Sequence, residues 1–371
     1  MAKGAVFLAN LFDYLAWRGD LSFASSPFCE VDNLVYSMLS VMDYSSVVSP
    51  SVVGMPVKLS DCYTRYRERY PNGEYFGQIF PEVTANVLRD AAQSVRFGDS
   101  YLTAYRAETD ADTVSQFAAV TFVLPDNSIF ISFRGTDDTL IGWREDFNLS
   151  FMHPVVAQQK AVDYLCEVAA VHRGRIRLGG HSKGGNLAVY AAVHAPEEIR
   201  ERIITAYSND GPGFVEEIVA SEAFRQMEKK IYTIVPQSSV IGMLLEHKEE
   251  YTVVESTMSN GFFQHDPFSW SVLGTKFVHL DGLTKQGKRH DRVMNEWLRS
   301  CTPQERKHFT DTLFGVIEST GAKTLSDLSV DTIGKMREAI RAFSELDRES
   351  KEHMLLLIRR LAEVGFADKN K

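Results

Sequence analysis

Apolar positions follow two different rhythms along this chain. Between about residue 100 and residue 257 they come in short runs rich in Val, Ile, Phe and Tyr, bounded by turn residues, as β-strands require. Beyond residue 285 they recur at three- and four-residue spacing among charged positions, as amphipathic helices require. The first rhythm predicts strands at 101–107, 117–124, 128–133, 174–178, 203–207, 230–235 and 251–257. Pro125-Asp126-Asn127 has the turn chemistry to join the second and third as a hairpin. A helix is expected at 156–171, with Val162, Leu165 and Val168 apolar, and from residue 128 onward strands alternate with helices. That order predicts an α/β fold with a mostly parallel sheet and helices on both faces.

The second rhythm predicts three or four helices. Thr302-Pro303-Gln304-Glu305 is a capping box with proline at the first helical position. Gly321 closes that helix, Asp331 caps the next ahead of Ile333, Met336, Ile340 and Phe343, and 350–364 forms the last. Within the last, Met354 to Ile358 is apolar on more than one face. Burial against neighbouring helices is expected, and a homo-oligomer formed through these helices, or contact with a membrane surface, is the alternative.

Residues 1–90 follow neither rhythm. A helix is expected at 5–17, and Asp32 is placed to cap a second through Leu34, Met38 and Leu39. Pro50, Gly54, Pro56, Pro71 and Gly73 interrupt a Tyr- and Arg-rich stretch at 63–70 that suits either a short helix or a loop. The expected organisation is a 1–285 α/β domain with an irregular N-terminal segment (1–90), followed by a 286–371 helical extension.

Bulk composition narrows the function. The 371 residues are 44% hydrophobic and carry a net charge of −9, with no Arg/Lys-rich block, which disfavours nucleic acid as a partner. Cys29, Cys62, Cys166 and Cys301 are scattered without a Cys-x-x-Cys, so neither a zinc ribbon nor a redox pair is expected, and sparse cysteine fits a reducing cytoplasm. No window has the length and apolarity of a transmembrane segment or signal peptide, so a cytoplasmic protein is expected.

The chemistry concentrates at Gly180-His181-Ser182-Lys183-Gly184, between an expected strand and an expected helix. This is the context of a nucleophile elbow, in which a serine is held exposed on a strained turn. The N–H of Lys183, at a helix N-terminus, is a candidate oxyanion donor. A serine needs a base, and in this arrangement the base follows a late strand. His265, in Gln264-His265-Asp266-Pro267, is the candidate; His279 is the alternative, although its apolar surroundings suit an edge-strand histidine better, and Asp266 reads as a cap. Asp210, after the strand at 203–207, is either the acid that orients the imidazole or an Asp-Gly turn residue. The N–H of Thr136, in Phe133-Arg134-Gly135-Thr136, is the second oxyanion candidate, and 137–151 reads as either a lid or a surface loop.

Taken together, Phe133-Arg134-Gly135-Thr136, the downstream Trp143 and Asp146, and the Gly-His-Ser-x-Gly elbow resemble the class 3 lipases of the α/β-hydrolase fold over roughly residues 90–280. Ser208-Asn209-Asp210-Gly211-Pro212-Gly213, Ile234-Val235-Pro236 with Ser239-Val240-Ile241-Gly242-Met243, and Gln264-His265-Asp266-Pro267 resemble an uncharacterised bacterial branch of that group. The resemblance implies a serine ester hydrolase, with Ser182, His265 and Asp210 catalytic, Thr136 and Lys183 forming the oxyanion hole, no metal and no cofactor, acting on a small-molecule or lipid-like ester. Class 3 lipases usually carry their acid as Asp-x-Val-Pro, and this chain has Thr233 there. A degenerate scaffold used for binding, or an acyltransferase, are the competing readings.

Overall fold

A computed structural model describes residues 9–71 and 81–367. Residues 5–8 of the first expected helix, and Gly73, lie outside them. The central sheet has nine strands in the order β1-β2-β3-β4-β5-β6-β7-β8-β11. They are β1 (Val57–Lys58), β2 (Tyr101–Asp110), β3 (Ser115–Val123), β4 (Ile129–Phe133), β5 (Ile176–His181), β6 (Ile203–Asn209), β7 (Ile231–Pro236), β8 (Tyr251–Val254) and, after the small β9 (Val272–Leu273) and β10 (Lys276–Phe277) hairpin, β11 (His279–Leu280).

The sheet is mixed where a mostly parallel one was expected. The β4–β5, β5–β6, β6–β7 and β7–β8 pairings are parallel, and the four pairings outside them are antiparallel. The cause lies in the connections: β2, β3 and β4 follow one another through tight turns, which permit only antiparallel pairing, whereas β4 to β8 are joined by crossovers.

Side chains alternate across the sheet to feed two cores. On β4, Phe130 enters the cluster beneath α1 (Leu11–Arg18), α2 (Glu30–Leu39), α3 (Leu59–Arg69) and α4 (Pro81–Gln93), while Ile129, Ile131 and Phe133 enter the other. After α5 (Leu140–Asn148), that second core is closed by α6 (Val156–Val171), α7 (Lys183–His194), α8 (Glu197–Arg202), α9 (Glu216–Val219) and α10 (Glu222–Met227). Both faces of the sheet are thus covered, as long apolar parallel strands demand.

The N-terminal segment defied its sequence pattern because α2 is buried on every side. Its polar residues are satisfied from far away. Asp32 sits at the third helical position, not the cap, and accepts from the N–H of Cys29, from Tyr14 and, bidentately, from Arg96 at 2.6 and 2.5 Å. Both members of that ion pair are fully buried, and Arg96 also donates to the carbonyls of Leu21, Ser26 and Pro27. Removing one partner of such a pair costs about 3–5 kcal/mol, so it locks α2 to the loop that leads into β2. Residues 63–69 of that stretch belong to α3, whose Cys62 and Tyr66 face inward, and Tyr70 caps it.

The chain ends in α11 (Lys285–Arg299), α12 (Pro303–Glu318), α13 (Leu325–Ser329), α14 (Thr332–Glu345) and α15 (Arg348–Ala367). Thr302 and Glu305 form the expected capping box, and Asp331 caps α14. Among the described residues no helix is long and apolar enough to cross a membrane. Of the apolar run in α15, Met354 and Leu357 are buried, while Leu355, Leu356 and Ile358 are exposed.

Candidate active site

Ser182 occupies the turn between β5 and α7 with φ +57° and ψ −132°, a conformation costly for any residue but glycine. The surrounding backbone enforces it. The Ser182 N–H donates to the Asn209 carbonyl, and the Ser182 carbonyl accepts from Gly185 N–H. Packing is so tight that a Cβ on Gly184 would lie 2.1 Å from the Phe133 carbonyl oxygen. At the first turn of α7, the N–H of Lys183 has no carbonyl one turn earlier to accept it.

The Lys183 side chain runs away from this turn into the protein. Its ammonium is buried and donates to Glu145 at 3.0 Å and to the Gln116 carbonyl and side-chain oxygens at 2.9 and 2.8 Å. Glu145 also accepts from the N–H groups of Gln116 and Ala157. A single buried carboxylate therefore ties the elbow, α5 and the start of α6 together. The 137–151 segment is a capped helix pinned at its base rather than a free loop: Thr139 caps α5, and Asp137 pairs with Arg134 while accepting from Thr139.

Asp210 lies at the end of β6 with φ +52°, a left-handed conformation that aspartate tolerates better than most residues. It is fully buried. Its Oδ1 accepts from the Ser239 hydroxyl at 2.6 Å, and its Oδ2 lies 2.6 Å from His265 Nδ1. Ser239 is itself held by Gly242 N–H, and Gly242 has to be glycine, because a Cβ there would fall 2.2 Å from Asp210 Oδ1. The imidazole Nδ1–H donates to the carboxylate, which leaves Nε2 as the ring nitrogen with a free lone pair.

The turn carrying His265 is anchored on both sides. The Gln264 side chain accepts from Ser238 N–H and donates to the Met258 carbonyl, and the Gln264 carbonyl accepts from the indole of Trp270. Asp266 caps the following turn through Phe268 N–H. His181 packs its ring 4.5 Å from that of His265 and donates from Nε2 to the His265 carbonyl. Burial, and then the neighbouring His265, hold the His181 pKa well below the usual histidine range, so it stays neutral.

Thr136 follows β4. Its hydroxyl donates to Asp146 Oδ2 at 2.5 Å. Burial pushes the Asp146 carboxyl up to about 6, against the pull of Lys183 and the Thr136 hydroxyl. His279 stands elsewhere, on the edge strand β11, paired with Glu30 at 2.8 Å. Thr233 donates to Glu249, which bonds His247 rather than His265.

Ser182, His265, Thr136 and Lys183 all line one cavity of about 250 Å3, most of whose wall is apolar. Two contributors to that wall carried no local signal. Ser37, Met38 and Val41 come from α2 and the turn after it, and Met294, Trp297, Leu298, Arg306, Phe309, Thr310 and Leu357 come from α11, α12 and α15. The C-terminal helices are docked there by long-range contacts with α5 and its flanks. Arg144 pairs with Asp311 and Glu318, Phe147 meets Phe314 edge-on at 5.4 Å, and the backbone of 138–140 bonds that of 323–325. The sequence signal was the apolar face of these helices; that it turns toward the elbow depends on partners more than 150 residues away.

A search of curated proteins returns no match. Among solved structures, the native propeptide complex of Rhizomucor miehei lipase is 15% identical, with 66% of this chain and 80% of that chain covered and a TM-score of 0.35. M37 lipase is 12% identical, with 57% and 68% covered and a TM-score of 0.35. The sequence profile of the Mbeg1-like family matches residues 91–315, from the end of α4 through most of α12 and so across the whole elbow region, and the chain belongs to that family.

Proposed function

We propose that this protein is a serine hydrolase of the α/β-hydrolase fold that cleaves carboxylic esters through an acyl-enzyme on Ser182. One observation carries the reading: a serine forced to φ +57° on a strand-to-helix turn shares a cavity with a histidine whose Nδ1 is hydrogen-bonded to a buried carboxylate. That combination supplies the strained, accessible hydroxyl and the oriented base that nucleophilic catalysis needs.

In the proposed cycle Ser182 Oγ attacks the acyl carbonyl carbon while His265 Nε2 takes the hydroxyl proton. Asp210 holds the imidazole in the required tautomer and stabilises its cation. The tetrahedral oxyanion is held by the N–H groups of Lys183 and Thr136. Collapse expels the alcohol, which receives the proton from His265. Water, deprotonated by the same imidazole, then releases the acid and restores Ser182. Ser239 takes the remaining Asp210 oxygen, so the carboxylate turns its other oxygen to the histidine. Helices α11, α12 and α15 act in this reading as a roof that completes the substrate pocket.

Steady-state hydrolysis of p-nitrophenyl esters tests the reading. Ser182→Ala is expected to lower kcat/KM by at least about a thousandfold while the protein keeps its Tm. Unchanged hydrolysis in that variant would remove Ser182 from the chemistry.

A further inference from the structure

The cavity is lined by several charged or ionisable groups, and all but one of its cations are accounted for. Lys183 is neutralised by Glu145, Arg134 by Asp137, and His181 is held neutral by burial. His265 is matched to Asp210. The remaining cation is Arg306, on the first turn of α12, which lines the cavity among the apolar side chains of Trp297, Phe309 and Leu357.

Arg306 is set in place by backbone alone. Its Nε donates to the Cys301 carbonyl at 3.1 Å and its Nη1 to the Ser150 carbonyl. Among the described residues no carboxylate lies within ion-pair distance of it, and no acceptor takes the two Nη2 donors. The carboxylates that share the cavity are engaged otherwise, Asp137 with Arg134, Asp146 with Thr136 and Lys183. Burial pulls the Arg306 pKa below the usual arginine value, against the opposing pull of Cys301 and of Glu217, which lies beyond ion-pair distance, and the group remains charged. The half-buried guanidinium is held in one orientation by two backbone carbonyls, and its Nη2 donors stay free of any acceptor among the described residues. The planar fork suits a phosphate or carboxylate, whose oxygens it can meet with two parallel hydrogen bonds.

We propose that Arg306 recognises an anionic group of the substrate, so that the pocket takes an amphiphilic ester bearing a phosphate or carboxylate beside its apolar chain. The proposal rests on the ester-hydrolase reading for the chemistry and on the cavity itself for binding. The anion contacts the Nη2 edge while the chain lies along the aromatic and aliphatic wall of α11, α12 and α15.

Calorimetry on full-length Ser182→Ala protein, which cannot turn over, tests it with decyl phosphate, decanoate and decanol. At least one anion is expected to bind about tenfold or more tighter than the alcohol, and the tighter of the two names the head group. Adding Arg306→Gln should erase that preference and leave decanol affinity within about twofold, with Arg306→Lys recovering part of it. Equal affinities for the three ligands overturn the proposal, and this comparison needs no Arg306 variant to fold. An equal loss for all three in Arg306→Gln would make the residue a structural clamp and also overturn it. Failure of all three to bind overturns it too, yet leaves the hydrolase reading intact as long as wild-type Ser182 turns over p-nitrophenyl esters. Loss of that turnover alone, with anion selectivity retained, would sink the hydrolase reading and spare the binding site.

Discussion

The floor and the roof of the cavity are built on opposite plans. The floor, from the ends of β4, β5 and β6 and the His265 turn, is fixed many times over. Ser182, Asp210 and His265 are each held by at least two hydrogen bonds from themselves or their immediate neighbours, and glycines such as Gly180 and Gly184 pack too closely for any Cβ. The roof, from α11, α12 and α15, rests on a small apolar cluster of Trp297, Cys301 and Leu357, on the Phe147–Phe314 contact, on the hydrogen bonds of Asn295 with the backbone of Met243 and Leu245, and on partly exposed ion pairs to α5. Such pairs contribute little stability, typically under about 1 kcal/mol each. On the hydrolase proposal, a rigid floor serves chemistry, where sub-ångström placement decides rate, and the roof serves selection, where shape and charge decide which substrate stays.

The largest effect that separates them is on the floor. Asp210→Asn would leave the imidazole without a charge to orient and stabilise it, and kcat for a p-nitrophenyl ester is expected to fall roughly a thousandfold at pH 7 with little change in KM. A loss of less than about tenfold would mean that Asp210 is only a turn residue. Opening the roof should look different. Phe309→Ala removes a ring that packs edge-on against Trp297 at 5.9 Å. It is expected to lower kcat/KM for a decanoyl ester about tenfold and to leave an acetyl ester within about threefold. Equal losses on both esters would show that the roof shapes the catalytic geometry as well.

The smallest effect lies at the seam, on Asp146. Its carboxyl is pushed up to about 6 by burial, above the unfolded value of about 3.9. The native state therefore binds more protons than the unfolded chain between these values, and stability falls as pH rises from about 4 through about 6, then stays level. Asp146→Asn, which keeps an oxygen for the Thr136 hydroxyl, should be more stable than wild type by on the order of 2 kcal/mol at pH 8, with the gap closing toward pH 4. Thermal melts across that range measure it; a gap independent of pH would assign the effect to packing.

The floor was far more legible in the sequence than the roof, for a physical reason. The elbow is local: strand, glycine-flanked serine and helix all lie between Ile176 and His194, and the geometry follows from the close backbone approach the glycines permit. Asp210 was ambiguous because an Asp-Gly step also suits a plain turn, and its contacts with Ser239 and His265 join residues far apart in the chain. The N-terminal helices were hard to read because α2 has no solvent face, and its buried polar groups find partners such as Arg96 and Asn209 far along the chain. The helical tail was readable as helices down to its capping box. Its place over the cavity was not, since that depends on Arg144 and Phe147 meeting partners across the fold.

The central claim, that the floor activates Ser182, is tested most directly by intact-mass measurement after treatment with a fluorophosphonate. One adduct on the wild-type chain, absent from Ser182→Ala and formed far more slowly on Asp210→Asn, is the predicted result. A folded wild-type protein that takes no adduct, or an adduct that persists in Ser182→Ala, would contradict it.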